Sequence, residues 1–207
     1  MGRPSTPLLS VERIAEAALA LVDSAGEFTV AGVAASLGVR PSSLYNHLAG
    51  KAQIVEAMRS AVFREVPTIA SSPGADWETS IRRALRAYRD AFARHPRLIP
   101  MLTAQTVSAR DVMRIYDDLA RVLSAAGLEE GRLLDVITVL DSFVIGSALD
   151  LVAPDAVWDA DQAEAPELVR AIRSAASGRD RADRAFELGI DLLLGGLGGL
   201  GPGAAAR

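Results

Sequence analysis

Apolar residues recur at helical spacing along most of the chain, and the breaks between them are marked by local stop signals. Ser10 precedes a run in which Ile14, Ala18, Leu21 and Val22 share one face and Gly26 stands just past the end, which predicts a first helix over residues 11–25. Thr29 is the N-cap expected for a second helix over 30–37, where Val30, Val33, Ala34 and Leu37 follow the i, i+3, i+4, i+7 pattern and Gly38 stops the run. Pro41 opens a short third helix to about residue 47 with Leu44 and Leu48 turned inward, Ala49-Gly50 ends it, and a fourth helix covers 51–64.

Pro67, Pro73 and the Ser71-Ser72-Pro73-Gly74 cluster then mark a boundary between a head of residues 1–65 and a body of residues 75–197. In the body, Asp76 caps a helix over 77–94, closed by His95-Pro96, and a short helix follows around 98–105. Ser108 is expected to cap another helix that runs to residue 126. The segment 130–152 is apolar nearly all round, including Leu133, Ile137, Leu140, Val144 and Leu149. Residues 153–164 read as a loop, helices are predicted over 166–177 and 180–194, and the Gly- and Ala-rich residues 198–207 form an expected disordered tail. The fold class is therefore all-α, a three-helix head with a helix-turn-helix and a larger helical body.

Composition supports this reading: half of the residues are apolar but only 5% are aromatic, a mixture suited to close-packed helices. The absence of cysteine excludes disulfides, thiol catalysis and Cys-type zinc sites. Net charge is −4, yet residues 28–55 contain no Asp or Glu and carry Arg40, His47 and Lys51, the only lysine. That window can approach phosphates without carboxylate repulsion, whereas the acidic body is kept off them. The chain opens with no apolar signal-like stretch, and Asp150, Glu187 and Asp191 interrupt the longest apolar runs, so a cytoplasmic protein with no membrane span is expected. No enzyme is expected: Asp117-Asp118 and Glu129-Glu130 diverge on a helix, and no metal-binding His pattern or phosphate-cradling Gly loop occurs. No metal or cofactor is expected either.

Two short helices joined at Leu37-Gly38-Val39 make a helix-turn-helix whose second member can enter a major groove. Ala34 is small where the helices meet, and Arg40, Pro41, Ser42, Ser43, Tyr45, Asn46 and His47 are left facing outward. The run Thr29-Val30-Ala31-Gly32-Val33-Ala34-Ala35-Ser36-Leu37-Gly38-Val39, followed by Ser43-Leu44-Tyr45-Asn46-His47-Leu48 and Lys51, resembles the TetR family of DNA-binding regulators over about residues 10–64. The resemblance implies double-stranded DNA as partner, with Thr29, Tyr45, His47 and Lys51 on the phosphate backbone and Arg40, Pro41 and Ser43 at base edges. Asn46 fits either set, and Ser42 is either a base contact or plain polar surface. For Tyr45, packing against the first helix is the competing reading, and for His47 a helix-end cap. The chain departs from the family at Ala31 and Gly32, where many members carry Arg or Lys. A mid-helix Gly32 is expected to cost about 1 kcal/mol. Arg3 is a candidate minor-groove contact or part of a disordered terminus.

The helices over 130–152 and 180–194 carry more apolar surface than one core contact needs, and a homodimer through a four-helix bundle resolves that. Leu140, Val144, Ser147, Leu151, Phe186, Ile190 and Leu193 are the expected interface, with Gly146, Ser147 and Ala148 allowing close approach; the alternative is that both helices are central to a monomeric body. Tyr88-Arg89-Asp90, His95, Pro100 and Phe143 with Gly146 resemble the tetracycline-repressor type within the family. There a histidine at the position of His95 helps to hold a magnesium-bound drug, but the partner histidine is replaced here by Val66-Pro67. A small-molecule effector pocket is expected among Phe92, Leu98, Met101, Leu102, Met113, Tyr116 and Phe143, with His95 and Gln105 as polar orienters; the same residues also suit an ordinary core. The function expected is a dimeric repressor on a near-palindromic operator, released by population shift when an effector binds. The competing reading is a helical interaction or ligand-binding protein without a DNA role.

Overall fold

The computed structural model describes residues 9–69 and 76–197 and contains ten α-helices among them: α1 Val11–Ala25, α2 Val30–Ser36, α3 Pro41–Tyr45, α4 Lys51–Phe63, α5 Trp77–Ala93, α6 Ile99–Thr103, α7 Arg110–Ala125, α8 Glu130–Leu151, α9 Pro166–Ser174 and α10 Gly178–Leu197. Arg3, the Ser71-Ser72-Pro73-Gly74 cluster and the 198–207 tail lie outside the described residues. Among the described residues no single helix is long and apolar enough to cross a membrane.

In the head, Ile14, Ala15, Ala18 and Val22 of α1 form the buried stripe, met by Phe28, Val33, Ala34 and Leu44 and by Ile54, Val55 and Met58 of α4. The stripe is what the i, i+4 spacing demands of a helix with one dry face. Ser10 and Thr29 cap as expected, their hydroxyl oxygens accepting from the backbone N–H of Arg13 and Gly32. Gly38 turns the chain at φ 68°, a left-handed conformation that favours glycine. Two head expectations change. Helix α3 ends at Tyr45 rather than residue 47, leaving His47 beyond the last turn. Gly32 is not in mid-helix but in the first turn of α2, and a Cβ there would come within 3.1 Å of the Thr29 Oγ1 that caps it. Its glycine therefore makes room for the cap.

The body is organised around α8, which packs against α5, α7 and α10. Despite being apolar almost all round, α8 buries one stripe, Val136, Leu140, Val144 and Ala148, and α10 buries a matching one, Ala182, Phe186, Ile190 and Leu194. Leu140, Val144, Phe186 and Ile190, expected on a dimer face, thus belong to the protomer's own core, because the four-residue repeat turns them toward α5 and each other. Phe143 stacks on Phe186 with ring centroids 5.5 Å apart, close enough that a Cβ on Gly189 would overlap the Phe143 ring. Antiparallel α5 and α10 are laced by Arg82–Asp191, Arg86–Glu187 and Arg89–Asp183.

Helix α4 joins head and body. Its Arg59 is 6% exposed and donates through Nε to Glu56 at 2.9 Å and through Nη2 to the Leu102 and Gln105 carbonyls at the end of α6. Glu56 in turn accepts from the backbone N–H groups of Ser108 and Ala109, and Ser60 donates to Asp111. Ser108 therefore does not cap α7 with its own side chain: the N-cap is Ala109, and the carboxylate that serves this helix start comes from α4. Other boundaries shift modestly, with a 3-10 turn over Pro96–Leu98 before α6, α9 ending at Ser174 and α10 starting at Gly178.

Two outcomes follow from this packing. Gly189→Ala lowers stability by about 1–3 kcal/mol in urea denaturation, since the Phe143 ring cannot move away without leaving Phe186. Burial pushes the Glu56 carboxyl up, but the Ser108 N–H, Arg59 and the Ala109 N–H outweigh it and hold it below the ordinary carboxylate value. The stability it supplies is present above the unfolded carboxylate pKa and lost as pH falls through the depressed folded one. Glu56→Gln therefore flattens the acid limb of the melting-temperature profile below about pH 5.

Candidate functional site

Helix α3 is a short platform fixed from below by buried Leu44 and started by Pro41 at its first turn. Its outer surface and flanks bring Arg40, Pro41, Ser42, Tyr45, Asn46 and His47 into solvent, with Ser43 half-buried. Tyr45 is 56% exposed, so it does not pack against α1. Thr29 stands exposed at the start of α2; its Oγ1 accepts from Gly32 N–H at 2.9 Å, which leaves the hydroxyl proton for an outside acceptor. Lys51, at the start of α4, lies over the Phe28 ring at 5.2 Å. The first carboxylate after this window, Glu56, is turned inward onto α7 and adds no free carboxylate to this face.

In the body a cavity of about 270 Å³ lies between α4, α5, α6, α7 and α8. Arg59, Tyr88, Phe92, Tyr116, Asp141 and Ile145 line one part, and Ile99, Leu102, Thr103, Gln105 and Val107 the other. Tyr88 and Tyr116 both donate their hydroxyls to Oδ1 of Asp141, at 2.7 and 2.8 Å. Burial first, and the Asp141 charge second, push both phenols above the ordinary tyrosine value, so they stay neutral donors. Phe63 stands behind this trio, 4.9 Å from Tyr88 and 5.5 Å from Phe92 between ring centroids.

Of the residues expected at an effector pocket, Phe92, Leu102, Gln105 and Tyr116 line this cavity. The others do not. Leu98 is fully buried in the core, Met101 packs against that core, Met113 is 49% exposed and Phe143 stacks on Phe186. His95 is committed elsewhere: its Nδ1 lies 2.8 Å from Asp23 Oδ2 of α1, which ties the end of α5 to the head and removes it from any drug or metal site in the cavity. Sequence reasoning missed Arg59, Tyr88, Asp141, Ile99, Thr103, Val107 and Ile145. Asp141 had a legible signal, a carboxylate set between the mainly apolar runs 136–140 and 143–145 in the middle of α8.

The outer sides of α8 and α10 form an apolar groove of about 340 Å³ lined by Val136, Val139, Leu192, Leu193 and Leu197 with Arg132 and Asp135 at its edge. Leu134 and Leu192 are 73% and 68% exposed. Farther along α8, Ser147 and Leu151 are half-buried, and among the described residues a Cβ on Gly146 would meet nothing within 4 Å.

Residues 70–199 match the model of the tetracyclin repressor-like C-terminal domain. The chain is 30% identical over 206 residues to the class A tetracycline repressor protein from transposon 1721 of Escherichia coli, covering 91% of this chain and 90% of that one. It is also 26% identical over 149 residues to the HTH-type transcriptional repressor DrrR1 of Streptomyces coeruleorubidus, where the match spans 71% of this chain and 55% of that repressor. Among solved structures, the TetR family protein ActR of Streptomyces coelicolor in complex with actinorhodin superposes with a TM-score of 0.77 at 22% identity, covering 95% of this chain and 98% of ActR, a likeness of fold. The full-length similarity, the body's match and the exposed α3 together show a transcriptional regulator rather than an enzyme: the chain belongs to the TetR family.

Proposed function

We propose that the protein is a homodimeric repressor that binds a near-palindromic operator through α3 and leaves it when a small molecule enters the body cavity. The observation that carries this reading is the double duty of α4. Its Ile54, Val55 and Met58 belong to the head core, while its Arg59 is both a cavity wall and the donor to the carbonyls that end α6. A molecule that displaces α6 or the start of α7 must move the Arg59 and Glu56 partners, and α4 with them. The effector then favours a conformation whose head spacing does not fit the operator, and its differential affinity sets the extent of release. ActR, of the same fold, is found in complex with actinorhodin, which supports a small molecule as the effector.

In this reading α3 lies in the major groove, with Arg40, Pro41 and Ser43 at base edges, Ser42 and Asn46 beside them, and Thr29, Tyr45, His47 and Lys51 on phosphates. The dimer forms through the outer faces of α8 and α10, where Leu134, Val139, Leu188 and Leu192 stand exposed among the described residues. A two-fold axis there sets two heads about 34 Å apart, one turn of duplex. The repressor acts in the cytoplasm, where the DNA is.

Selection of bound duplexes from a random pool at two salt concentrations recovers a near-palindrome whose affinity falls with salt; no enrichment at low salt overturns the DNA role and favours an interaction module. On the selected operator, Tyr45→Ala and Lys51→Ala weaken binding to all duplexes alike, whereas Arg40→Ala and Ser43→Ala change preference between duplexes by about 1–3 kcal/mol per base contact, read by competition binding. Leu192→Glu converts the dimer to folded monomers in sedimentation and lowers operator affinity, because one head holds half of the phosphate contacts.

A further inference from the structure

The cavity in the body holds one arginine and one carboxylate, and only the arginine has an ion-pair partner within the protein, which narrows what enters. Of the two ionised side chains in its wall, Arg59 is already neutralised: Glu56 lies 2.9 Å from its Nε, and its Nη2 is spent on the Leu102 and Gln105 carbonyls. Asp141 has no such balance, since the ion pairs among the described residues engage other carboxylates and none reaches it. Its two hydrogen bonds come from neutral phenols, both on Oδ1.

The hydroxyl donors that line the cavity are committed within the protein, which leaves the Gln105 amide and Arg59 Nη1 as the donors of the wall with no bond among the described residues. Tyr88 and Tyr116 have given their hydroxyl protons to Asp141, and Thr103 gives its own to the backbone carbonyls of α6. Around Asp141 an incoming molecule therefore meets a carboxylate whose hydrogen bonds come from phenols, walled by the aromatic rings of Tyr88, Phe92 and Tyr116, with the Gln105 amide on the α6 side. An acid placed here would stack a second negative charge beside a carboxylate that already has no cation, which burial makes costly. A protonated amine supplies the missing charge and finds π faces that attract cations, while a flat ring system fills the apolar remainder.

Resting on the cavity being the effector site, we propose that the effector is a cationic aromatic amphiphile, a planar ring system carrying a protonated amine that pairs with Asp141. Acids and neutral quinone-like molecules of the same outline bind less well.

Three probes of one outline test this: 9-aminoacridine, a cation; acridone, neutral; and acridine-9-carboxylate, an anion. Each is titrated by calorimetry into the full-length, DNA-free protein. The wild type binds 9-aminoacridine at least about tenfold more tightly than acridone, with the carboxylate weakest. In Asp141→Asn, whose amide oxygen still accepts the tyrosine hydroxyls, the preference for the amine is erased while acridone affinity stays within about twofold. Ile145→Trp, which fills the cavity, abolishes binding of all three, and melting curves establish that both variants are folded.

Equal affinities, a reversed order, no binding of any probe, or a preference that survives Asp141→Asn overturns the charge assignment. If acridone or the carboxylate binds best and is lost in Ile145→Trp, the cavity stands as the effector site and only the assignment of ligand class falls. If 9-aminoacridine binds unchanged in Ile145→Trp, the cavity is not the site and both fall together.

Discussion

The buried guanidinium of Arg59 is the constraint around which the rest of the molecule is arranged. A cation taken out of water must be fully satisfied, and here the satisfaction comes from a carboxylate one turn earlier and from the carbonyls that end a different helix. The same carboxylate completes the start of the next helix. One ion pair on α4 therefore closes two helix termini that would otherwise leave polar groups unpaired, and the loop between α6 and α7 is held to α4 more firmly than apolar packing alone would hold it. Since the upper part of α4 is also part of the head core, the cavity wall and the DNA-facing platform share one rigid element.

Most of the fold was legible because its signals are local. Ser10, Thr29, Gly38, Pro41 and Asp76 start, stop or turn the chain where the sequence places them, and the match to the helix-turn-helix pattern sits on contiguous residues. The start of α7 was misjudged for the opposite reason. Ser108 has the right chemistry at the right position, but a carboxylate from 52 residues away in sequence outcompetes it, and no local pattern records that contact.

The cavity shows the same division. Phe92, Leu102, Gln105 and Tyr116 were found because aromatic and apolar residues at helical spacing converge on the space between helices. Tyr88 and Asp141 were not, because their meeting depends on how α5, α7 and α8 cross. His95 was drawn into the pocket by likeness to the family, whereas in this chain an aspartate on α1 captures it. Both helices leave apolar residues outside the protomer core, and the division between inside and outside follows the phase of the four-residue stripe, which composition does not reveal.

The contact between His95 and Asp23 has a neighbour in Arg97, whose Nη1 donates to the Asp23 and Ser24 carbonyls at the end of α1. The head is thereby fastened to the body at a second place besides the α4 clamp. Polar contacts from two different elements, α4 and the α5–α6 connection, hold head and body together, and parting them costs both sets.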